Sequence, residues 1–275
     1  MTILDRIVAQ KYEEVKERKA KYPFHLMEKS IYFRRKPASL KHFLLREDLF
    51  GIIAEFKRKS PSKGIMNEFA TSGKVCGEYI HAGASAVSIL TDSEFFGGYS
   101  DDLIHARELI NCPILRKDFI VDEYQIVEAR SIGADAILLI TSLHQPEKIE
   151  QLYRFARSLE LEVLIEVHDE NDFSKIPGDA QLVGINSRNL ASLNVDKELP
   201  SRLIENMPPE VLKIAESGIK TTFDYLNLKN AGFNGFLIGE LFMNTPDPGK
   251  TCSIFIDELR QLISSADESI QNFSL

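Results

Sequence analysis

Eight short apolar runs, separated by stretches of helical character, constrain this chain more than any other feature. They are Gly51–Phe56, Ala84–Leu90, Pro113–Leu115, Ala136–Ile140, Leu161–Val167, Leu182–Ile185, Val211–Ala215 and Gly235–Ile238. The runs are apolar on both faces, as parallel strands are when helices cover them on both sides. Helix-like stretches lie between them, among them Asp122–Ile132, Pro146–Leu159 and Thr222–Asn230. Gly83, Gly133 and Gly232 stand where a helix C-cap precedes a strand. Spacings of roughly 20–36 residues suit one βα unit per run. The pattern predicts an α/β fold, a (β/α)8 TIM barrel, and 275 residues suffice for one. An open doubly wound sheet is the alternative, but no GxGxxG follows the first run.

Residues 1–48 lack this rhythm. Leu4, Ile7, Val8 and Val15 recur near a 3.6-residue period among charges, which predicts an amphipathic helix. Pro23 and Pro37 punctuate an irregular stretch beyond it, and a short helix is expected around Ser39–Arg46. The segment is too short to fold alone. It reads as a helical extension packed on a barrel, residues 1–275 forming a single domain.

A net charge of −8 argues against nucleic acid as a partner, since phosphate backbones attract a surplus of Lys and Arg. It leaves room for a small anionic substrate. Cys76, Cys112 and Cys252 are odd in number and far apart, so neither a disulfide framework nor a zinc site is expected. The N-terminus has no apolar targeting core and no run is long enough to span a bilayer, which points to a cytoplasmic protein with no membrane partner. The charge pattern offers no apolar interface stripe, and a monomer is expected.

In barrels of this class the reacting side chains project from the C-terminal strand ends. Here those ends carry Glu55 and Lys57, Thr91, Lys117, Thr141, Glu166, Asn186 and Arg188, Glu216 and Ser217, and Gly239. Strand parity puts Glu55 with Lys57, Leu115 with Lys117 and Leu164 with Glu166 on common faces, so the charged groups can address one axis. Lysines and carboxylates converging in one mouth suit acid–base chemistry, because environment drives their pKa values apart. A structural ion-pair network is the plainer alternative. The segments Ala215–Ile219 and Phe236–Glu240 end the seventh and eighth runs with glycines, where such barrels often hold phosphate. The basic loop Lys57–Gly64 reads as a lid able to grip an anion through Ser62 or Lys63. His81, His105 and His144 read as surface or packing residues, and His168 as a group that orients Glu166.

Several of these segments resemble one family. The run IIAEFKRKSPSKG (Ile52–Gly64) is similar to the signature stretch of the indole-3-glycerol phosphate synthases. So are Leu115–Arg130, LIEVHDE (Leu164–Glu170), GINSRNL (Gly184–Leu190), AESGI and FLIGE, and the opening ILDRIVAQKYEEV resembles the family's N-terminal helix. The resemblance implies the substrate 1-(2-carboxyphenylamino)-1-deoxyribulose 5-phosphate and the products indole-3-glycerol phosphate, CO2 and water, a carboxy-lyase step of tryptophan biosynthesis. It implies that Lys117 is the general acid at the ketone oxygen, Glu166 the general base, and Lys57 the partner of the substrate carboxylate or the acid of the dehydration. That division of acid roles is left open by the residues alone. Glu55 would tune the lysines, and Asn186, Glu216 and Ser217 would meet the sugar or assist dehydration. Arg188 would lie near the anthranilate carboxylate. Ser62, Gly218, Gly239 and Glu240 would hold phosphate, and Phe96 and Leu237 would flank the aromatic ring. No cofactor or metal is implied. Tyr99, Glu123, Leu241 and Phe242 depart from the family's usual residues, and none of these removes a charged strand-end group. A Schiff-base aldolase using Lys117 or Lys57, and a non-catalytic phosphate-binding barrel, are the other readings. The neighbouring pathway isomerase fits less well, because a lysine rather than a cysteine follows Phe56.

Overall fold

The computed structural model of the protein describes residues 3–190 and 192–273. Eight parallel strands close on themselves: β1 (Ile52–Phe56), β2 (Ala86–Leu90), β3 (Ile114–Lys117), β4 (Ala136–Ile140), β5 (Glu162–Val167), β6 (Leu182–Asn186), β7 (Leu212–Glu216) and β8 (Gly235–Ile238), with β8 pairing back onto β1. The expected barrel is therefore present. Strands β3, β6 and β7 each run farther than the apolar runs predict, ending on Lys117, Asn186 and Glu216. The parallel ladder continues through these polar residues because hydrogen bonding involves only the backbone.

Period-two alternation divides the core. Ile52, Phe56, Ile89, Leu139, Ile165 and Phe236 face outward into the helices, while Ile53, Leu115, Leu138, Leu164, Ile214 and Leu237 fill the axis. The helices are α1 (Ile3–Lys21), α2 (Phe24–Met27), α3 (Leu40–Leu44), α4 (Ser72–Ala82), α5 (Ser93–Phe96), α6 (Ser100–Leu109), α7 (Glu123–Ile132), α8 (Pro146–Ser158), α9 (Leu199–Leu203), α10 (Thr222–Asn230), α11 (Glu240–Met243) and α12 (Pro248–Phe273). After β5 a 3-10 helix, Glu170–Lys175, takes the place of an α-helix. Local chemistry sets the ends. Asp122 accepts from Tyr124 N at the start of α7, Gln125 reaches back to Asp122 N, and Gly133 closes the helix at φ 96°. No described helix is long and apolar enough to cross a membrane.

The extension is tied to the N-terminal ends of the strands by carboxylates. Asp135, fully buried just before β4, accepts from Arg35 (2.5 Å), Ala38 N (2.6 Å), Ile114 N (2.8 Å) and Arg107. Glu162 accepts from Ser39 Oγ (2.6 Å) and Lys41 N (2.9 Å). These contacts seat α3, whose Leu40 and Leu44 join the inward-facing core. Asp135→Ala would strand the buried Arg107 guanidinium without a counter-ion. A loss of about 3–5 kcal/mol is expected for breaking a buried pair from one side, read by urea unfolding; a loss under about 1 kcal/mol would show that Arg107 is satisfied by carbonyls alone.

Candidate active site

The inward parity of the strands delivers the site. Continuing the axis-facing series past the apolar layer, Ile53 leads to Glu55 and Lys57, Leu115 to Lys117, Leu164 to Glu166, Leu182 to Gly184 and Asn186, Ile214 to Glu216, and Leu237 to Gly239. A cavity of about 540 Å³ opens at this end. Glu55, Lys57, Lys117, Glu166, Asn186 and Ser217 line it, and so do Ser62, Phe96, Arg188, Gly218, Leu237, Gly239 and Glu240. Of the strand-end groups singled out from sequence, Thr91 and Thr141 do not reach the cavity: they are buried, bonded to Asp118 and to the Glu166 carbonyl. Glu216 stands behind the wall, with no exposed surface.

Lys117 is the hub. Its Nζ lies 2.5 Å from Glu216 Oε2, 3.5 Å from Glu166 Oε2 and 3.9 Å from Glu55 Oε2. Burial alone would lower its pKa, but Glu216, Glu166 and Glu55 together raise it above the ordinary lysine value, so the ammonium is held charged. Lys57 Nζ meets the other oxygen of Glu55 at 2.6 Å. Burial pushes the Glu55 carboxyl up, yet Lys57 and Lys117 more than offset this and keep it ionised.

The remaining two carboxylates part company. Burial works against ionisation in both, but Glu166 has Lys117 on one side and His168 Nε2 at 3.1 Å on the other, which brings its pKa below the usual range. Glu216 faces the same Lys117 and also the Glu166 charge, and burial and that repulsion raise it well above the usual carboxyl range. Of the two, Glu216 is thus the carboxyl that favours its proton and Glu166 the one that favours its charge; Glu216 Oε1 is buried without a hydrogen-bond partner. Glu166 remains an acceptor. His168 stands beside Glu166; burial lowers its pKa, but Glu166 raises it further. The 3.1 Å contact is off the line of the ring N–H, so it is an ion-pair contact more than a hydrogen bond.

Two missing β-carbons make this packing possible. A Cβ on Gly184 would sit 2.3 Å from Glu216 Oε1, and one on Gly239 2.4 Å from Glu55 Oε1. Gly184 was not singled out from sequence. Its signal was legible, since a glycine on the inward parity of an apolar strand marks a close approach, here by Glu216 on the adjacent strand.

Around this charged floor the wall is divided by chemistry. Phe96 and Phe119, with centroids 6.0 Å apart, stand with Leu138, Ile140, Leu190 and Leu237 as an apolar surface. Elsewhere Ser217 (φ 67°) and Gly218 (φ 80°) make consecutive left-handed residues after β7. Gly239 opens α11, whose first N–H groups have no intrahelical acceptor. Arg188 spans the mouth, donating to Ser62 Oγ (3.2 Å) and Glu240 (3.0 Å), and Lys63 comes within 3.7 Å of Glu240. Lys197 and Lys220 also line the cavity. They sit in loops without strand parity, which is why sequence reasoning passed over them. Among the described residues no group of His, Cys, Asp and Glu is arranged to hold a metal ion.

The raised Glu216 pKa has a stability consequence with a definite sign. A buried carboxyl that prefers its neutral form contributes stability that is full below the ordinary Glu pKa and is lost as pH rises through the native value. Glu216→Gln keeps the neutral shape. Urea unfolding from about pH 5 to about pH 9 should therefore show the unaltered protein losing stability relative to the variant. A difference independent of pH would mean Glu216 is ionised throughout.

Comparison with known proteins agrees with this geometry. The family profile described as indole-3-glycerol phosphate synthase matches residues 4–254. The indole-3-glycerol phosphate synthase of Bacteroides thetaiotaomicron is 43% identical over 258 residues, covering 94% of this chain and 99% of that protein. That of Aliarcobacter butzleri is 42% identical over 248 residues, covering 89% and 94%. Among solved structures, thiamine phosphate pyrophosphorylase from Pyrococcus furiosus superposes with a TM-score of 0.56 at 16% identity, over 82% of this chain and 98% of that one, a likeness of fold alone. With a profile match across the barrel and relatives above 40% identity along nearly their whole length, the chain belongs to the indole-3-glycerol phosphate synthase family.

Proposed function

We propose that the cavity closes, decarboxylates and dehydrates 1-(2-carboxyphenylamino)-1-deoxyribulose 5-phosphate to indole-3-glycerol phosphate, with CO2 and water released. The observation that carries this reading is the Lys117 ammonium, held charged by three carboxylates at the floor of a cavity with an apolar wall and an anion-binding rim. The substrate has the same three parts: an aromatic ring, a reacting ketose and two anionic ends.

Placed with its ring against Phe96, Phe119 and Leu237, the substrate carries its phosphate to the turns at Ser217–Gly218 and Gly239–Glu240, beside Ser62. Backbone N–H groups there favour an anion. Arg188 and Lys57 meet the ring carboxylate, which then competes with Glu240 for Arg188 and with Glu55 for Lys57.

In the first step the ring carbon bearing the carboxylate attacks the ketone carbon, and negative charge develops on the ketone oxygen. A lysine kept strongly basic by its neighbours gives up a proton only to a stronger base. Lys117 therefore interacts little with the neutral ketone and strongly with the forming alkoxide, which is the differential binding that lowers a barrier. Loss of CO2 returns its electron pair to the ring and restores aromaticity. Dehydration then removes the new hydroxyl as water, with a proton supplied from the lysine side, while Glu166 takes the proton from the sugar-derived carbon next to nitrogen. Glu216 stays enclosed and acts through Lys117, and Asn186 at the end of β6 faces the sugar hydroxyls.

A Schiff-base reading needs a neutral lysine amine. The three carboxylates around Lys117 oppose that form. The same proposal has the chain acting as a monomer in the cytoplasm without a nucleic-acid partner: every singled-out group comes from one chain, and three free, buried cysteines suit a reducing compartment. Lys117→Ala should retain the barrel by circular dichroism and lower kcat by about 10²–10⁴, the usual contribution of a general acid. Indole-product fluorescence on incubation with the substrate reads this directly, and a variant keeping most of its turnover would remove Lys117 from the mechanism.

A further inference from the structure

The N-terminal helix buries a lysine on the face that sequence periodicity assigns to apolar residues. Ile7, Lys11 and Val15, four residues apart, form the covered stripe of α1, and Lys11 is 1% exposed. Its Nζ contacts Glu14 (2.8 Å), Asp118 (2.9 Å) and Asp92 (3.0 Å). Asp92 and Asp118 lie just past the ends of the neighbouring strands β2 and β3, so one ammonium from the extension bridges two strand ends at the mouth.

Both carboxylates also shape the turns in which they stand. Asp92 caps α5 by accepting from Phe95 N (2.8 Å), and its carbonyl accepts from Gly98 N (2.9 Å), which closes the turn carrying Phe96. Asp118 is the residue next to Lys117. Its Oδ1 accepts from Phe119 N (2.8 Å), and its Oδ2 accepts from Thr91 Oγ1 (2.7 Å) and Arg116 (3.0 Å). Ile7 and Leu4, one to two turns before Lys11, line a small space shared with Phe96, Phe119 and Lys57. The aromatic wall of the cavity is thus mounted on the two turns that Lys11 joins.

We propose that Lys11 is a positioning residue for the reaction: by neutralising Asp92 and Asp118 together it holds Phe96 and Phe119 at the spacing that receives the substrate's aromatic ring. The inference rests on the function proposed above. Two negative turns left without this cation would repel one another in a buried setting, and the phenyl rings would separate. The small space beside Phe96 and Phe119 also reaches Ser62, Arg188 and Glu240, but the glycine turns at Ser217–Gly218 and Gly239 are mounted on β7 and β8 and carry no hydrogen bond or ion pair with Lys11, Asp92 or Asp118.

Lys11→Met removes the charge and keeps the apolar stem. Asp92→Asn removes one ion pair while keeping a side chain that caps α5, and it serves if the first variant fails to fold. The expected result is a KM for the carboxyphenylamino sugar phosphate raised about tenfold or more, a smaller change in kcat, and inhibition by inorganic phosphate within about twofold of the unaltered protein. Unchanged KM in both variants would overturn the proposal. So would an equal loss of substrate and phosphate affinity, which would make Lys11 a general support of the mouth. Absence of turnover in the unaltered protein would instead overturn the function itself.

Discussion

Closing a parallel sheet into a barrel points every second side chain of every strand at one axis. For most of the barrel's height apolar residues satisfy this constraint. At the C-terminal end the same parity forces Glu55, Lys57, Lys117, Glu166 and Glu216 together. Side chains that would be solvated on an open sheet must here compensate one another. The contact between Lys117 and its three carboxylates is thus a consequence of closing the barrel with this sequence, and the chemistry of the site derives from it.

Mutual compensation also explains the unequal protonation. Three carboxylates around one lysine, with Lys57 attached to only one of them, leave more negative charge than the buried cations balance. The surplus is relieved where burial is deepest and no second cation helps, at Glu216, whereas His168 lets Glu166 stay ionised. A carboxyl that favours its proton, a carboxylate that favours its charge and a fixed ammonium within one cluster are what a sequence of proton transfers requires. The polar wall beyond them binds anions, and the apolar wall binds the ring.

The extension grips the barrel at both ends by a common principle. At the bottom Asp135 and Glu162 accept backbone and side-chain donors from the approach to α3. At the mouth Lys11 supplies the positive member to carboxylates of two strand ends. Buried pairs of this kind contribute little net stability compared with apolar packing, but they admit few alternative arrangements. That suits an appendage that has to be seated in one register next to reacting groups.

Much of this molecule was legible in the chain. The eight runs, the glycine caps and the polar strand ends determined the barrel, and parity nominated Glu55, Lys57, Lys117 and Glu166, because the period of a strand is local; the phosphate and ring contacts rested on glycine turns and on the family resemblance. Other features depended on residues distant in sequence. Glu216 is one residue past an apolar run, like Asn186, yet Asn186 lines the cavity and Glu216 stands behind it, its Oε1 in the space left by Gly184 on the adjacent strand. Lys11 falls on the apolar stripe of Ile7 and Val15 and was not singled out, since helical periodicity records where a side chain points and not what waits there. Only the tertiary structure placed Asp92 and Asp118 opposite it. Backbone period and side-chain parity are written in neighbouring residues, whereas the protonation and burial of a charge are set by partners that the closed barrel brings from distant parts of the chain, as Glu216 is brought to Lys117.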